Sequence, residues 1–225
     1  MTDQNLTEII CIIDRSGSMQ SIQADAIGGF NTFVDDQQKL DEGECRLTFA
    51  QFDDVYEVVH DGVPIKDVPP LTNETYEPRG STALFDAIGK TINQVGNRLA
   101  GLPEEKRPGK VLVVILTDGH ENASREFNRQ QISDMVTKQR DQFQWEFIFL
   151  GAGIDAFDAG QQIGIMLCST IAHDSNGMAK GYKAVSRSVT SYRTSGTVGQ
   201  SDLDDPGPLN DALVSSNNSD SKPVH

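Results

Sequence analysis

Apolar residues enter this chain in short unbroken runs that alternate with longer segments of helical spacing. Residues 8–13 (EIICII) are continuously apolar after Glu8, the pattern of a strand buried on both faces. Between 19 and 40 the apolar positions Met19, Ile22, Ala26, Phe30, Phe33, Val34 and Leu40 make a helical stripe, with acidic and amide residues elsewhere. Residues 45–52 (CRLTFAQF) and 55–60 (VYEVVH) read as strands joined by Asp53-Asp54. That junction signals a tight hairpin, which predicts an antiparallel second strand at a sheet edge. Residues 61–81 carry Pro64, Pro69, Pro70 and Pro78 and predict an ordered, irregular loop. Helical spacing returns from Thr82 to Leu99, and residues 110–116 (KVLVVIL) carry the strongest central-strand signal. A helix near 127–142, a strand at 145–150, a short helix near 155–163, a weak strand near 167–171 and a helix near 176–193 complete the series.

This order predicts an α/β fold: a doubly wound, mostly parallel, Rossmann-like sheet with one antiparallel edge strand and helices on both faces. From about Ser195 the composition shifts to Ser, Asn, Asp, Gly and Pro, with five acidic residues and one lysine between 200 and 225. Such a segment buries too little apolar surface to offset its ordering entropy. The expected organisation is therefore a domain over 1–196 followed by a disordered acidic and polar tail over 197–225, in which Leu209, Leu213 and Val214 could dock weakly.

Charge removes several classes of partner. The 225 residues hold 19 basic and 33 acidic side chains, a formal charge of −14. No Lys/Arg cluster is present to neutralise a polyanion, which argues against nucleic acid and against an anionic membrane surface. No apolar run approaches the roughly 20 residues of a membrane span. The N-terminal residues lack a basic region followed by an apolar stretch, so no secretory signal is expected. Cys11, Cys45 and Cys168 are odd in number and widely spaced, the first two within strand-like runs. They read as reduced thiols of a cytoplasmic protein, not as a disulfide framework or a zinc site.

Candidate chemistry lies at the predicted strand ends. Asp14-Arg15-Ser16-Gly17-Ser18 follows the first buried strand, and Asp118 follows the strongest central one. In an open doubly wound sheet, ligands bind beyond the carboxyl ends of the strands where strand order reverses. If the two strands are neighbours, both carboxylates face one crevice and repel unless a cation lies between them. Ser16, Ser18 and Thr82 add hard, neutral oxygens, a donor set that suits Mg²⁺ or Mn²⁺ better than Zn²⁺ or Cu²⁺. Taken singly, each segment is also an ordinary turn or helix cap, Ser18 for a helix from Met19 and Ser81-Thr82 for the next. Three such elements in order, each at the mouth of a βα unit, make the purely structural reading improbable.

On these residues the sequence resembles the von Willebrand factor type A domain family over roughly 6–194. Asp14, Ser16 and Ser18 match the Asp-x-Ser-x-Ser part of that family's metal-ion-dependent adhesion site; Thr82, in Gly80-Ser81-Thr82-Ala83-Leu84, matches the second part, and Asp118, in Thr117-Asp118-Gly119, the third. The wording is similar to stand-alone bacterial or phage members. The resemblance implies a non-enzymatic, Mg²⁺-dependent module in which the two serines and the threonine approach the metal, and a partner protein's Asp or Glu completes the coordination. Two alternatives stand beside it. One is a metal-assisted hydrolase or phosphatase with Asp14 as nucleophile, which would want a second Asp where Ser16 stands. The other is an assembly component with a stabilising metal.

Other residues have plainer readings. Arg15 could meet an acidic partner or screen Asp14 and Asp118, and with Arg79 and His120 it could supply selectivity. His120 reads as an exposed loop residue and Glu121 as a solvated one. His173-Asp174 lacks a nucleophile beside it, Gly151-Ala152-Gly153 reads as a turn, and Phe30, Phe33, Phe147 and Phe149 read as core.

Overall fold

The computed structural model describes residues 1–118, 121–152, 159–165, 167–171 and 175–199. Among the described residues six strands form one sheet: β1 (Asp3–Asp14), β2 (Glu44–Phe52), β3 (Tyr56–Pro64), β4 (Pro108–Thr117), β5 (Trp145–Ala152) and β6 (Leu167–Ile171), in the spatial order β3-β2-β1-β4-β5-β6. All neighbours are parallel except β2 and β3, which pair antiparallel at one edge. The helices are α1 (Gln23–Lys39), α2 (Leu84–Ala100), α3 (Arg129–Phe143) and α4 (Ser175–Ser195).

The period-two alternation of strand side chains sorts the apolar run of β1 into two cores. Ile9, Cys11 and Ile13 join Phe30 and Phe33 of α1 and Val185 and Val189 of α4 on one face. Ile10 and Ile12 join Leu84, Ile88 and Ile92 of α2 and Ile132 and Val136 of α3 on the other. Both faces are thus covered, which is why β1 reads as an unbroken apolar run instead of an alternating one. At Gly29 of α1 a Cβ would strike the ring of Tyr182 of α4, so the close approach of these helices requires glycine there.

Three expected segments differ in detail. The stripe beginning at Met19 opens as a 3-10 helix, Gly17–Ile22, before the α-helix starts at Gln23. Met19 and Ile22 are spaced by three residues, which satisfies either geometry. The edge strand runs on to Pro64, past the end expected at 60, because Gly62 takes a left-handed φ of 65° and the pairing with β2 slips its register. Of the short helix expected near 155–163, residues 159–162 are helical and 155–158 lie outside the described residues. The tail expected from 197 lies outside them from residue 200 onward. Phe30, Phe33, Phe147 and Phe149 are buried as expected, and among the described residues no helix is long and apolar enough to cross a membrane.

Cys11 and Cys45 are free thiols, both buried. Burial drives the Cys11 thiol far above its ordinary range and pushes Cys45 up to about 12, although the nearby Arg193 pulls Cys45 the other way. Since the thiolate is the nucleophile, maleimide labelling of the native chain followed by peptide mapping is expected to leave both unmodified, and labelling in urea to modify both. Rapid labelling of either in the native protein would contradict the packing of these strands.

Candidate metal centre

The chain lays down β1, β2 and β3 in one direction across the sheet and then returns to the other side of β1 with β4. Strand order therefore reverses between β1 and β4, and the crevice of such a sheet opens beyond the carboxyl ends of those two strands. Their register pairs Ile13 with Leu116, so Asp14 and Thr117 end the two strands side by side and Asp118 follows immediately. Two candidate carboxylates 104 positions apart in sequence thus share the reversal point.

Asp14 is completely buried. Its Oδ2 accepts the Thr117 hydroxyl at 2.6 Å, its Oδ1 accepts the Ser16 amide at 2.7 Å, and its carbonyl accepts the buried Tyr76 hydroxyl at 2.5 Å. Burial is the main influence on its acidity and pushes the carboxyl up to about 6; the bonds from Thr117 and Ser16 pull it down and the neighbouring Asp118 pushes it further up. At neutral pH its charge is consequently held at a cost to the fold, which grows as pH rises from about 4 to about 6 and is complete above that. A positive charge between Asp14 and Asp118 would lower it.

The first loop then arranges its hydroxyls. Ser16 precedes the 3-10 helix, yet its side chain caps nothing there. Its Oγ lies 3.1 Å from Ser18 Oγ, and the Ser18 hydroxyl donates to Asp118 Oδ1 at 2.7 Å. A continuous polar chain thus runs from Thr117 through Asp14 and the Ser16 backbone to Ser18 and Asp118. The structure brings four of the five candidate side chains into one hydrogen-bonded group.

Thr82 joins through its loop. Gly17 donates its amide to Gly80 O at 3.2 Å and Arg79 donates to Arg15 O at 2.8 Å, stitching the Thr82 loop to the serine loop. On its other side the Thr82 amide donates to Asn122 Oδ1 at 3.0 Å, and the amides of Asn122 and Ala123 return to Thr82 O. Thr82 is buried, only 3% exposed, between two loops that belong to the other candidates. It does not cap α2, contrary to one of the plain readings. The first amides of that helix are taken by Glu121 Oε2, 2.9 Å from Phe85 N, and by Ser124 Oγ, 3.0 Å from Asp86 N.

Glu121 is therefore no solvated side chain. Its two oxygens also accept the amides of Ala123 and Ser124 and the Ser124 hydroxyl. Asp86 answers from α2 by accepting the amides of Arg125, Glu126 and Phe127 at 2.9–3.0 Å. Although burial opposes ionisation, these three N–H groups hold the Asp86 carboxyl below its usual range. Arg15 also differs from expectation: it is buried and paired with Asp53 and Glu57, so it can neither screen Asp118 nor meet a partner. His120, Gly153, His173 and Asp174 lie outside the described residues. The sequence offered only faint signals for the supporting residues, namely an acid in the first turn of α2 and a hydroxyl at the end of β4.

The donor chemistry suits a hard divalent cation, with two carboxylates, three hydroxyls and no sulfur or imidazole among the described candidates. Among the described residues no group of three or more His, Cys, Asp and Glu side chains is placed to hold a metal, so any such site depends on its hydroxyls.

Comparison with known proteins bears on this arrangement. The von Willebrand factor type A domain model matches residues 8–180. No curated protein sequence matches the chain. Among solved structures, the PilB minor pilin from Streptococcus sanguinis is similar at TM-score 0.59 and 11% identity, over 83% of this chain and 62% of that one. Proximal thread matrix protein 1 of the mussel byssus, in a form with a zinc-occupied MIDAS motif, is similar at TM-score 0.57 and 16% identity, over 82% of this chain and 48% of that one. The manganese-loaded TRAP protein of Plasmodium vivax is similar at TM-score 0.51 and 13% identity, over 78% and 72%. At these identities the likeness is one of fold, and this chain spans about half the length of the byssus protein.

The reciprocal bonding of Glu121 and Asp86 makes a test of the loop framework. Asp86→Ala leaves three partly buried amides without their carboxylate and is expected to lower the unfolding free energy by about 2–3 kcal/mol in urea titrations. A loss below about 0.5 kcal/mol, the ordinary range for surface substitutions, would show that the loop is held by other means.

Proposed function

The chain belongs to the von Willebrand factor type A domain family, matched over residues 8–180, and from that premise we propose that it is a metal-dependent, non-enzymatic protein-binding module. The observation that carries the proposal is the polar chain at the strand reversal, where Asp14, Ser16, Ser18 and Asp118 are already bonded to one another. With Thr82 from the adjoining loop, these side chains hold one divalent cation, Mg²⁺ or Mn²⁺. The zinc and manganese in the byssus and Plasmodium proteins support a divalent ion in this fold.

When bound, the cation supplies an electrophilic position that a partner protein's Asp or Glu carboxylate can occupy. The chain's own residues do the positioning. Thr117 and the Ser16 amide fix the orientation of the Asp14 carboxylate; Ser16 and Ser18 present neutral hydroxyls, so the two carboxylates alone offset the ion's charge. Against a surface of net −14, the site is where an acidic side chain is attracted. A binding role is favoured over phosphoryl transfer because Ser16, engaged with Ser18, stands where a phosphatase of this kind would carry its second acid. The buried free thiols Cys11 and Cys45 support a cytoplasmic setting.

Calorimetry on the full chain is expected to find about one site for Mg²⁺ or Mn²⁺. Asp14→Ala and Asp118→Ala should abolish it, and unchanged binding in both would refute the ligand assignment. A protein partner recovered in Mg²⁺ should be released by EDTA and rebind on readdition of the metal. Thr82→Ala should weaken that capture while leaving the melting temperature nearly unchanged, since it removes a hydroxyl without unpairing a charge. A partner that stays bound with undiminished affinity in excess EDTA would place recognition elsewhere on the surface.

A further inference from the structure

The turn between β2 and β3 contributes none of the five candidate ligands, yet two of the three segments that carry them are tied to it. Asp53 is completely buried. Its Oδ2 accepts two guanidinium groups at once, Arg15 Nε at 3.0 Å and Arg79 Nε at 2.9 Å, and its Oδ1 accepts the Val55 amide at 2.6 Å. Arg15 stands between Asp14 and Ser16 in the first loop, and Arg79 opens the loop that carries Thr82. The backbone repeats the connection: Arg15 donates its amide to Phe52 O at 2.7 Å and Ala83 donates to Asp53 O at 3.0 Å. Gly80, between Arg79 and Thr82, adopts a φ of 66°, and a Cβ there would collide with Asp54 Oδ1. The two loops meet across Gly17–Gly80 and Arg79–Arg15 beside this turn.

Arg15 is the energetic reason for the arrangement. It is a buried cation; Nη1 reaches Glu57 Oε2 at 2.7 Å, and Nη2 is buried with no partner among the described residues. Breaking a buried ion pair by removing one member leaves an uncompensated charge, which is far more damaging than losing the pair's net attraction. Without the Asp53 charge, Arg15 keeps only the half-exposed Glu57, which draws its guanidinium toward the surface, and its backbone lies directly between Asp14 and Ser16.

We propose that Asp53 is a positioning residue for the metal site, holding the Ser16–Ser18 loop and the Thr82 loop at a fixed separation before any ion arrives. The inference rests on the metal-site reading above. A site whose ligands are already ordered loses less freedom when the ion binds. Residues that orient metal ligands without touching the metal change affinity by about 10- to 100-fold when replaced.

The test compares Asp53→Asn with Glu8→Gln in the full chain. Glu8 is also a buried carboxylate, bonded to Arg98 Nη2 at 2.7 Å and to the Thr48 hydroxyl at 2.6 Å, but it sits in the middle of β1, well short of the carboxyl end that carries the loops. Both variants break a buried ion pair; only one breaks the clamp. Two quantities are read under conditions where circular dichroism shows both folded: amide hydrogen exchange at Gly17, Arg79 and Ala83 without metal, and Mn²⁺ affinity by calorimetry. Asp53→Asn is expected to speed exchange at those amides and to weaken Mn²⁺ by about 10-fold or more, while Glu8→Gln lowers the melting temperature and leaves both quantities at the wild-type level. Wild-type exchange and affinity in Asp53→Asn, or equal losses in Glu8→Gln, would overturn the proposal. If Asp53→Asn does not fold, Arg79→Gln, which removes the exposed half of the clamp, is expected to show the same changes in smaller measure, and its failure to do so is equally decisive. If Mn²⁺ binds Asp14→Ala as it binds the wild type, the metal reading fails by itself, and the exchange measurement still decides whether Asp53 holds the loops.

Discussion

The side-by-side ending of β1 and β4 is the constraint on which the rest of the structure depends. Parallel pairing of Ile13 with Leu116 brings Asp14 against Thr117 and places Asp118 one residue beyond. Because both strands are buried on both faces, their register cannot slip without moving every apolar side chain into the wrong core. The hydrophobic sheet therefore fixes the position of a charged group that is itself poorly accommodated. Asp14 is buried and raised in pKa, and the hydrogen bonds from Thr117 and the Ser16 amide to its carboxylate relieve that burial without matching what a counter-charge would do.

Around that carboxylate the loops are built by delegation. Hydroxyl residues at helix starts ordinarily cap the helix that follows. Here Ser16 turns to Ser18, and the opening amides of α2 are satisfied by Glu121 and Ser124 from another loop. Asp86 completes the exchange by binding that loop in return. The serine loop, the Thr82 loop and the segment after Asp118 are thus held by side chains outside the ligand set. Hydroxyls released from capping suit the cation site proposed for this crevice.

Much of this was legible in the sequence. The unbroken apolar runs at 9–13 and 111–116 mark strands buried on both faces, and the Asp53-Asp54 junction marks the antiparallel edge. The candidate ligands stand out because they fall at strand ends. What the sequence could not reveal are the supports: Asp53, Asp86, Glu121 and Tyr76 act on loops 26 to 62 residues away, and no local periodicity records such pairings. Arg15 shows the limit best. Beside two acids it reads as a screening charge, whereas in three dimensions it is drawn away from them by a turn after the neighbouring strand. The extent of β3 was missed for a different reason, since proline and glycine signal a loop and here mark an irregular edge.

The metal centre is tested most directly by where a cation binds. Crystals of the full chain grown with Mn²⁺ and measured at the manganese absorption edge would locate the ion by its anomalous scattering. The account predicts one strong peak between the Ser16 and Ser18 hydroxyls and the Asp118 carboxylate, bordered by Thr82. A peak coordinated by other residues, or none at this crevice in crystals saturated with metal, would contradict it.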